Sequence, residues 1–132
     1  MWFDIDPKSQ IPIFEQIVAQ VIFNIATGGL EVGELIPSVR KLGMQLTVHP
    51  NTVAKAFQEL ERLGVVEARR GRGMEVTADA LKICQSERRQ RVGKRVRAAL
   101  REAVSSGLSA EEIRRLVEDE IGRVNGKRYS GG

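Results

Sequence analysis

The side chains best placed to do chemistry in this chain are cations with no acid beside them. Between Ile36 and Gln58 the charged residues are Arg40, Lys41 and Lys55. Between Ala68 and Met74 they are Arg69, Arg70 and Arg72, spaced by Gly71 and Gly73. Guanidinium and ammonium groups in such clusters suit phosphate oxygens. Asn51, Thr52 and Gln58 lie among them, and short polar side chains of this kind can donate to and accept from base edges. The chemistry implied is recognition of a polyanion. The chain has one histidine, His49, and one cysteine, Cys84, too few for a zinc cluster or an internal disulfide. No paired carboxylates and no phosphate loop ahead of a helix are found, and Gly71-x-Gly73 is too short for a nucleotide fingerprint. The expectation is a binding protein that is not an enzyme and needs no cofactor or metal.

The charge balance sharpens this. The 132 residues carry a formal net charge of +4. Residues 1–76 hold 8 Lys/Arg and 9 Asp/Glu, so the two basic clusters are local features of a near-neutral segment. Residues 77–132 hold 13 and 8. Hydrophobic residues at 42% and charged ones at 29% describe an ordinary globular chain. No apolar run reaches the ~18 residues of a membrane span, and the first residues lack the pattern of a signal peptide. A reducing cytoplasm is the expected compartment, near the nucleoid if the polyanion is DNA.

The elements that must position these residues follow from periodicity. Trp2–Asp6 alternates apolar and acidic residues, as a short strand or an extended arm does. Pro12 opens a helix with Phe14, Ile17, Val18, Val21 and Ile25 at helical spacing, ended by Gly28-Gly29. Leu30–Ile36 is a connection. Pro37-Ser38 begins a second helix with Val39, Leu42 and Leu46 inward. Thr47-Val48-His49 is a turn, and Pro50 starts a third helix with Val53, Ala56, Phe57 and Leu60 inward. Asn51, Lys55, Gln58 and Arg62 share its outer face, flanked by Thr52 and Glu59. Val65–Arg69 and Met74–Val76 form a hairpin tipped by Arg70-Gly71-Arg72-Gly73. Three helices and a hairpin make a winged helix-turn-helix, in which the third helix enters the DNA major groove.

Beyond Thr77 the pattern changes. Thr77-Ala78-Asp79 reads as the cap of a long helix running to about Ser106, stopped by Gly107. Its stripe is Val92, Val96, Ala99, Leu100, Ala103 and Val104, with Leu81 and Cys84 on its upstream extension. Cys84 reads as a small packing residue. Ser109-x-x-Glu112 is a capping box for a last helix with Ile113, Leu116, Val117, Ile121 and Val124 inward and Gly126 at its end. Two helices with narrow stripes cannot close a core alone. A second copy would complete it through Val92, Val96, Ala99, Leu100, Val104, Ile113, Leu116, Val117 and Ile121. The basic run Arg88, Arg89, Arg91, Lys94, Arg95, Arg97, Arg101 reads first as the solvated face of the long helix, which soon leads away from the wing, and second as a strip near the DNA backbone flanking the site. The fold class is therefore mostly α with a small β wing, with residues 1–76 a DNA-binding domain and 77–132 a helical dimerisation domain.

The run IPIFEQIVAQV, the segment GGLEVGELIPSVRKLG and the stretch VHPNTVAKAFQELERLGVVEARRGRGMEV resemble the GntR family of bacterial transcription regulators over about residues 10–76. The short helical C-terminal segment resembles the YtrA subfamily. The resemblance implies a homodimeric repressor on a palindromic operator, in many members near genes for ABC transporters. It implies DNA contact by Arg40 at the second helix, by His49, Asn51, Thr52 and Lys55 at the turn and third helix, and by Gly71 at the wing tip with Arg70 and Arg72 beside it. Gln58 is a further candidate on the third helix. Many members carry Ser-Arg or Thr-Arg where this chain has His49-Pro50, so base reading must shift to other residues. About 55 residues leave no room for a large effector domain, so any effector is small or acts by altering the dimer angle. The competing readings are a non-specific architectural or RNA-binding winged helix and a protein-interaction winged helix.

Overall fold

The computed structural model describes residues 3–130, and the side chains of residues 3–126. Five helices and three short strands run in the order α1 (Ile13–Ala26), β1 (Leu35–Ile36), α2 (Val39–Leu46), α3 (Pro50–Arg62), β2 (Val66–Arg69), β3 (Gly73–Val76), α4 (Ala80–Ser105) and α5 (Ala110–Ser130). The chain divides into two compact units, Met1–Gln90 and Arg91–Gly132.

The first unit is a winged helix-turn-helix. Its core gathers one face of each of the first three helices with the sheet: Ile17, Val21 and Ile22 from α1, Leu42 from α2, Val53, Ala56, Phe57 and Leu60 from α3, and Val66 and Val76 from the wing. Ile17, Val21, Leu42, Val53, Ala56, Phe57 and Leu60 are inward positions that the helical period predicts. Ala80 and Cys84, in the first turns of α4, are buried in the same core. Burial, with a smaller contribution from Glu87, pushes the Cys84 thiol up to about 11, so it packs as an apolar group and is inert.

Four details complete or depart from the sequence reading. Leu35 and Ile36, expected within a connection, form β1 and pair antiparallel with Glu75 and Met74 of β3, so the sheet has three strands in the order β1-β3-β2. Two residues are too few to display a strand period. Second, of the two forms expected for Trp2–Asp6, Phe3–Asp6 takes the extended arm and lies on α1, with Trp2 outside the described residues. Gln16 and Gln20 act in place of a neighbouring strand. The Asp6 amide donates to Gln16 Oε1 at 2.8 Å and the Asp4 amide to Gln20 Oε1 at 2.7 Å, while both glutamine amides donate back to Asp6 and Asp4 carbonyls. Third, the Thr77 hydroxyl does not cap α4. It donates to the Gly64 carbonyl at 2.6 Å, tying the end of the wing to the end of α3. Fourth, Gly126 does not end α5, which continues to Ser130.

The second unit holds the later part of α4 and all of α5. Gly107, at φ 93°, turns the chain after α4. The capping box forms as expected: the Glu112 amide donates to Ser109 Oγ at 3.1 Å and the Ser109 amide to Glu112 Oε2 at 2.8 Å. No side chain described between Arg91 and Gly126 is buried.

Candidate nucleic-acid interface

The turn between α2 and α3 determines how the outer face of α3 is presented. Thr47 closes α2 in the left-handed region at φ 55°, an uncommon conformation for a β-branched residue. The next amide, Val48, donates to the Gly43 carbonyl at 2.9 Å. That approach is possible because Gly43 has no side chain: a Cβ there would stand 2.8 Å from the Val48 carbonyl oxygen. Gly43 escaped the sequence reading, although a glycine inside an eight-residue helix is itself a signal of close backbone approach.

Each end of the helix-turn-helix is capped from its own sequence. Ser38 Oγ accepts from the Lys41 amide at 3.1 Å, and Arg40 and Lys41 stand exposed in the first turn of α2, which holds no acid. At α3, His49 is the cap: its Nδ1 accepts from the Asn51 amide at 3.0 Å, with Pro50 in the first turn. Nδ1 is thereby an acceptor, which leaves the ring proton on Nε2. One nitrogen of His49 is thus occupied by the helix, a cap role that the sequence reading did not assign to it. The cap duty falls on His49, so the exposed Asn51 side chain takes no part in it.

Lys55 and Gln58 are exposed one and two turns further on, and Thr52 is half-buried beside them. The Lys55 ammonium sits over the Phe14 ring of α1, 4.0 Å from its centroid. Pro12, Ile13 and Phe14 from α1 and Asn51, Thr52 and Lys55 from α3 line one open groove of about 470 Å³. Arg62, on the same face of α3, is differently placed. Its Nε and a terminal nitrogen donate to the two Glu59 carboxylate oxygens at 2.9 and 2.6 Å, a fork that raises the guanidinium pKa further.

The wing repeats that division of labour. Arg69 is bridged on both sides, to Glu67 at 2.6 Å and to Glu75 at 2.8 Å. Among the described residues Arg70 and Arg72 have no such acid, and they flank Gly71 at the exposed tip. Gly71 needs its glycine for backbone reasons: φ is 78°, and no atom lies within 4 Å of where a Cβ would be. Arg40, His49, Asn51, Thr52, Lys55, Gln58, Arg70, Gly71 and Arg72 therefore all fall in the first unit, and of these only Thr52 is half-buried rather than exposed.

In the second unit the residues singled out for pairing lie open. Val92, Val96, Leu100 and Val104 of α4 and Leu116, Val117 and Ile121 of α5 are exposed, from 37% for Leu100 and Val117 to 64% for Val104. Ala99 is exposed too, and Ile113 is half-buried. Among the described residues no group of three metal-binding side chains occurs, and no helix is long and apolar enough to cross a membrane.

A winged helix-turn-helix with a basic, acid-poor reading face defines a class of DNA-binding transcription regulators. Residues 13–76 match the model of the bacterial regulatory proteins of the gntR family. The chain is 32% identical over 122 residues to the HTH-type transcriptional repressor YtrA of Bacillus subtilis, covering 92% of this chain and 94% of that one. Among solved structures it resembles a GntR family transcriptional regulator from Listeria monocytogenes, at a TM-score of 0.70 and 29% identity over 87% of this chain and 98% of that one. It also resembles YtrA from Sulfolobus acidocaldarius, a GntR-family transcription factor, at a TM-score of 0.56 and 29% identity over 93% and 99% of the two chains. The chain belongs to the GntR family and is a DNA-binding transcription regulator of the YtrA type.

Proposed function

We propose that the chain is a homodimeric repressor that reads a palindromic operator in the bacterial cytoplasm, and that its targets include genes for ABC transporters. The observation that carries the reading is the sorting of cations within the first unit. Arg62 and Arg69 are neutralised by neighbouring carboxylates, whereas Arg40, Arg70 and Arg72 are exposed with no acid bound among the described residues. The unpaired guanidiniums are those left able to meet phosphate oxygens. Arg40 and the wing tip supply the phosphate grip. Lys55 adds to that grip from α3, and Asn51, Thr52, Gln58 and the free nitrogen of His49 supply the groove contacts.

Residues 77–132 serve to pair two chains, with the first turns of α4 anchored in the DNA-binding unit and the exposed stripes of α4 and α5 meeting their copies. A symmetric pair presents two recognition helices about one DNA turn, roughly 34 Å, apart or a multiple of it. The repressor name borne by the Bacillus subtilis relative, which spans nearly the same length, supports the direction of regulation.

The test is selection from a pool of random genomic fragments over a salt series. Enrichment of a two-fold symmetric sequence is the expected outcome. Equal retention of all fragments would favour an architectural role, and no retention at low salt a protein-interaction role.

A further inference from the structure

Lys55 is the base nearest the start of α3 on its groove-facing side, and its ammonium ends a flexible four-carbon stem. In the structure that ammonium has a partner on α1. Its Nζ stands 4.0 Å from the centroid of Phe14, above the face of the ring, where the ring quadrupole attracts a cation. Phe14 lies in the first turn of α1 and packs against the core, so the ring is a fixed platform. Phe14 and Lys55 line the same groove as Asn51 and Thr52. An ammonium parked there is already beside the two polar residues at the start of α3.

We propose that Phe14 is a positioning residue for DNA recognition: its ring holds the Lys55 ammonium at the mouth of the groove beside Asn51 and Thr52, so that Lys55 meets the DNA already oriented. The ring covers one side of the ammonium, and the three N–H donors of a lysine leave others to turn outward. Ordering a free lysine side chain costs conformational entropy at the moment of binding. A lysine held in advance has met that cost in the free protein. The inference rests on the regulator reading above, and it adds a contributor from α1, outside the helix-turn-helix.

The test is a double-mutant cycle on the full chain, with Phe14→Leu, Lys55→Met and the pair. The probe is the duplex enriched in the selection above or, if none is enriched, mixed genomic duplex at low salt. An exposed cation–π contact corresponds to about a two- to five-fold change in Kd. Phe14→Leu should weaken binding by that factor, Phe14→Tyr should restore it, and Phe14→Leu should do nothing further once Lys55 is Met. In the free protein, the Lys55 ε-methylene protons should show an upfield ring-current shift that Phe14→Leu abolishes and Phe14→Tyr keeps. An equal loss on the Lys55→Met background, tighter binding by Phe14→Leu, or an absent ring-current shift would each overturn the proposal. A wild-type chain that binds no duplex would overturn the regulator reading itself, and the ring-current shift would separate that failure from a misplaced lysine.

Discussion

The two units of this chain use apolar residues in opposite ways. In the first, helical stripes from α1, α2 and α3 close against one another and a three-stranded sheet, and Ile17, Val21, Ile22, Val53 and Leu60 lose all contact with solvent. In the second, stripes of the same spacing on α4 and α5 stay open, and no described side chain from Arg91 onward is buried. The difference lies in the number of surfaces available. Three helices and a sheet can enclose a volume; two helices can only lay one face against another. We propose that a second copy closes the second unit, because it would bring the same stripe with two-fold symmetry.

The largest expected effect breaks that contrast at the open stripe. Leu100→Asp together with Leu116→Asp places two charges where we propose the pair is buried. Sedimentation should then show monomers. Loss of bivalent engagement should weaken operator binding by roughly 10²–10⁴-fold, the usual gain from tethering two sites. The first unit should keep its fold, because neither residue belongs to its core. A dimer that persists in this variant would move the interface off α4 and α5.

A smaller effect sharpens the contrast from the closed side. Gly43 and Thr47 sit on either side of the end of α2, and each constrains the turn in a different sense. Gly43→Ala drives a methyl against the Val48 carbonyl oxygen, 2.8 Å from the new Cβ, and backbone cannot yield as a side chain can. The expected cost is about 1–3 kcal/mol, read as a lowered midpoint of denaturant unfolding. Thr47→Gly works the other way. At φ 55° a β-branched residue occupies the left-handed region, and glycine relieves about 1 kcal/mol of that strain, partly offset by greater freedom in the unfolded chain. Opposite signs at positions four residues apart would locate the strain in the turn itself. Two destabilisations would mean that the threonine side chain contributes something beyond its backbone conformation.

The architecture was legible in the sequence because it rests on period. Val53, Ala56, Phe57 and Leu60 repeat as a helix must, and all are buried. The order of three helices and a hairpin follows from proline and glycine punctuation that the structure keeps at Pro50, Gly64 and Gly107. What escaped has no period to show. β1 is two residues long and exists through its pairing with β3. Gly126 is a helix stop only where the chain lacks other reasons to continue, and α5 passes through it. The arm at Phe3–Asp6 is held by glutamine side chains on α1, a tertiary contact that strand alternation cannot foretell. Within the site the positions were readable as residue types at helical spacing. Their division into tethered and free cations was not, because it depends on which carboxylate the fold brings beside each arginine: Glu59 for Arg62, and Glu67 and Glu75 for Arg69. Likewise His49 as cap, with Nδ1 bound to the Asn51 amide, is a matter of side-chain geometry.

That division yields the smallest effect and the finest comparison. A cation that meets a phosphate releases counterions, and its loss lowers the salt slope of binding by about 0.9. Arg40→Ala or Lys55→Ala should each do so. Between 50 and 200 mM salt this amounts to about a three- to four-fold smaller loss of affinity than the parent suffers. Arg62→Ala and Arg69→Ala should leave the slope where it was, since each guanidinium already faces a carboxylate in the free protein. The measurement is operator affinity across a salt series for the four variants side by side. If all four lowered the slope alike, the internal ion pairs would have to open on DNA, and the sorting of cations would be a property of the free chain alone. If only Arg40→Ala and Lys55→Ala did so, the carboxylates at Glu59, Glu67 and Glu75 would act in recognition by withholding neighbouring arginines from the phosphates, and so fix which cations the DNA meets.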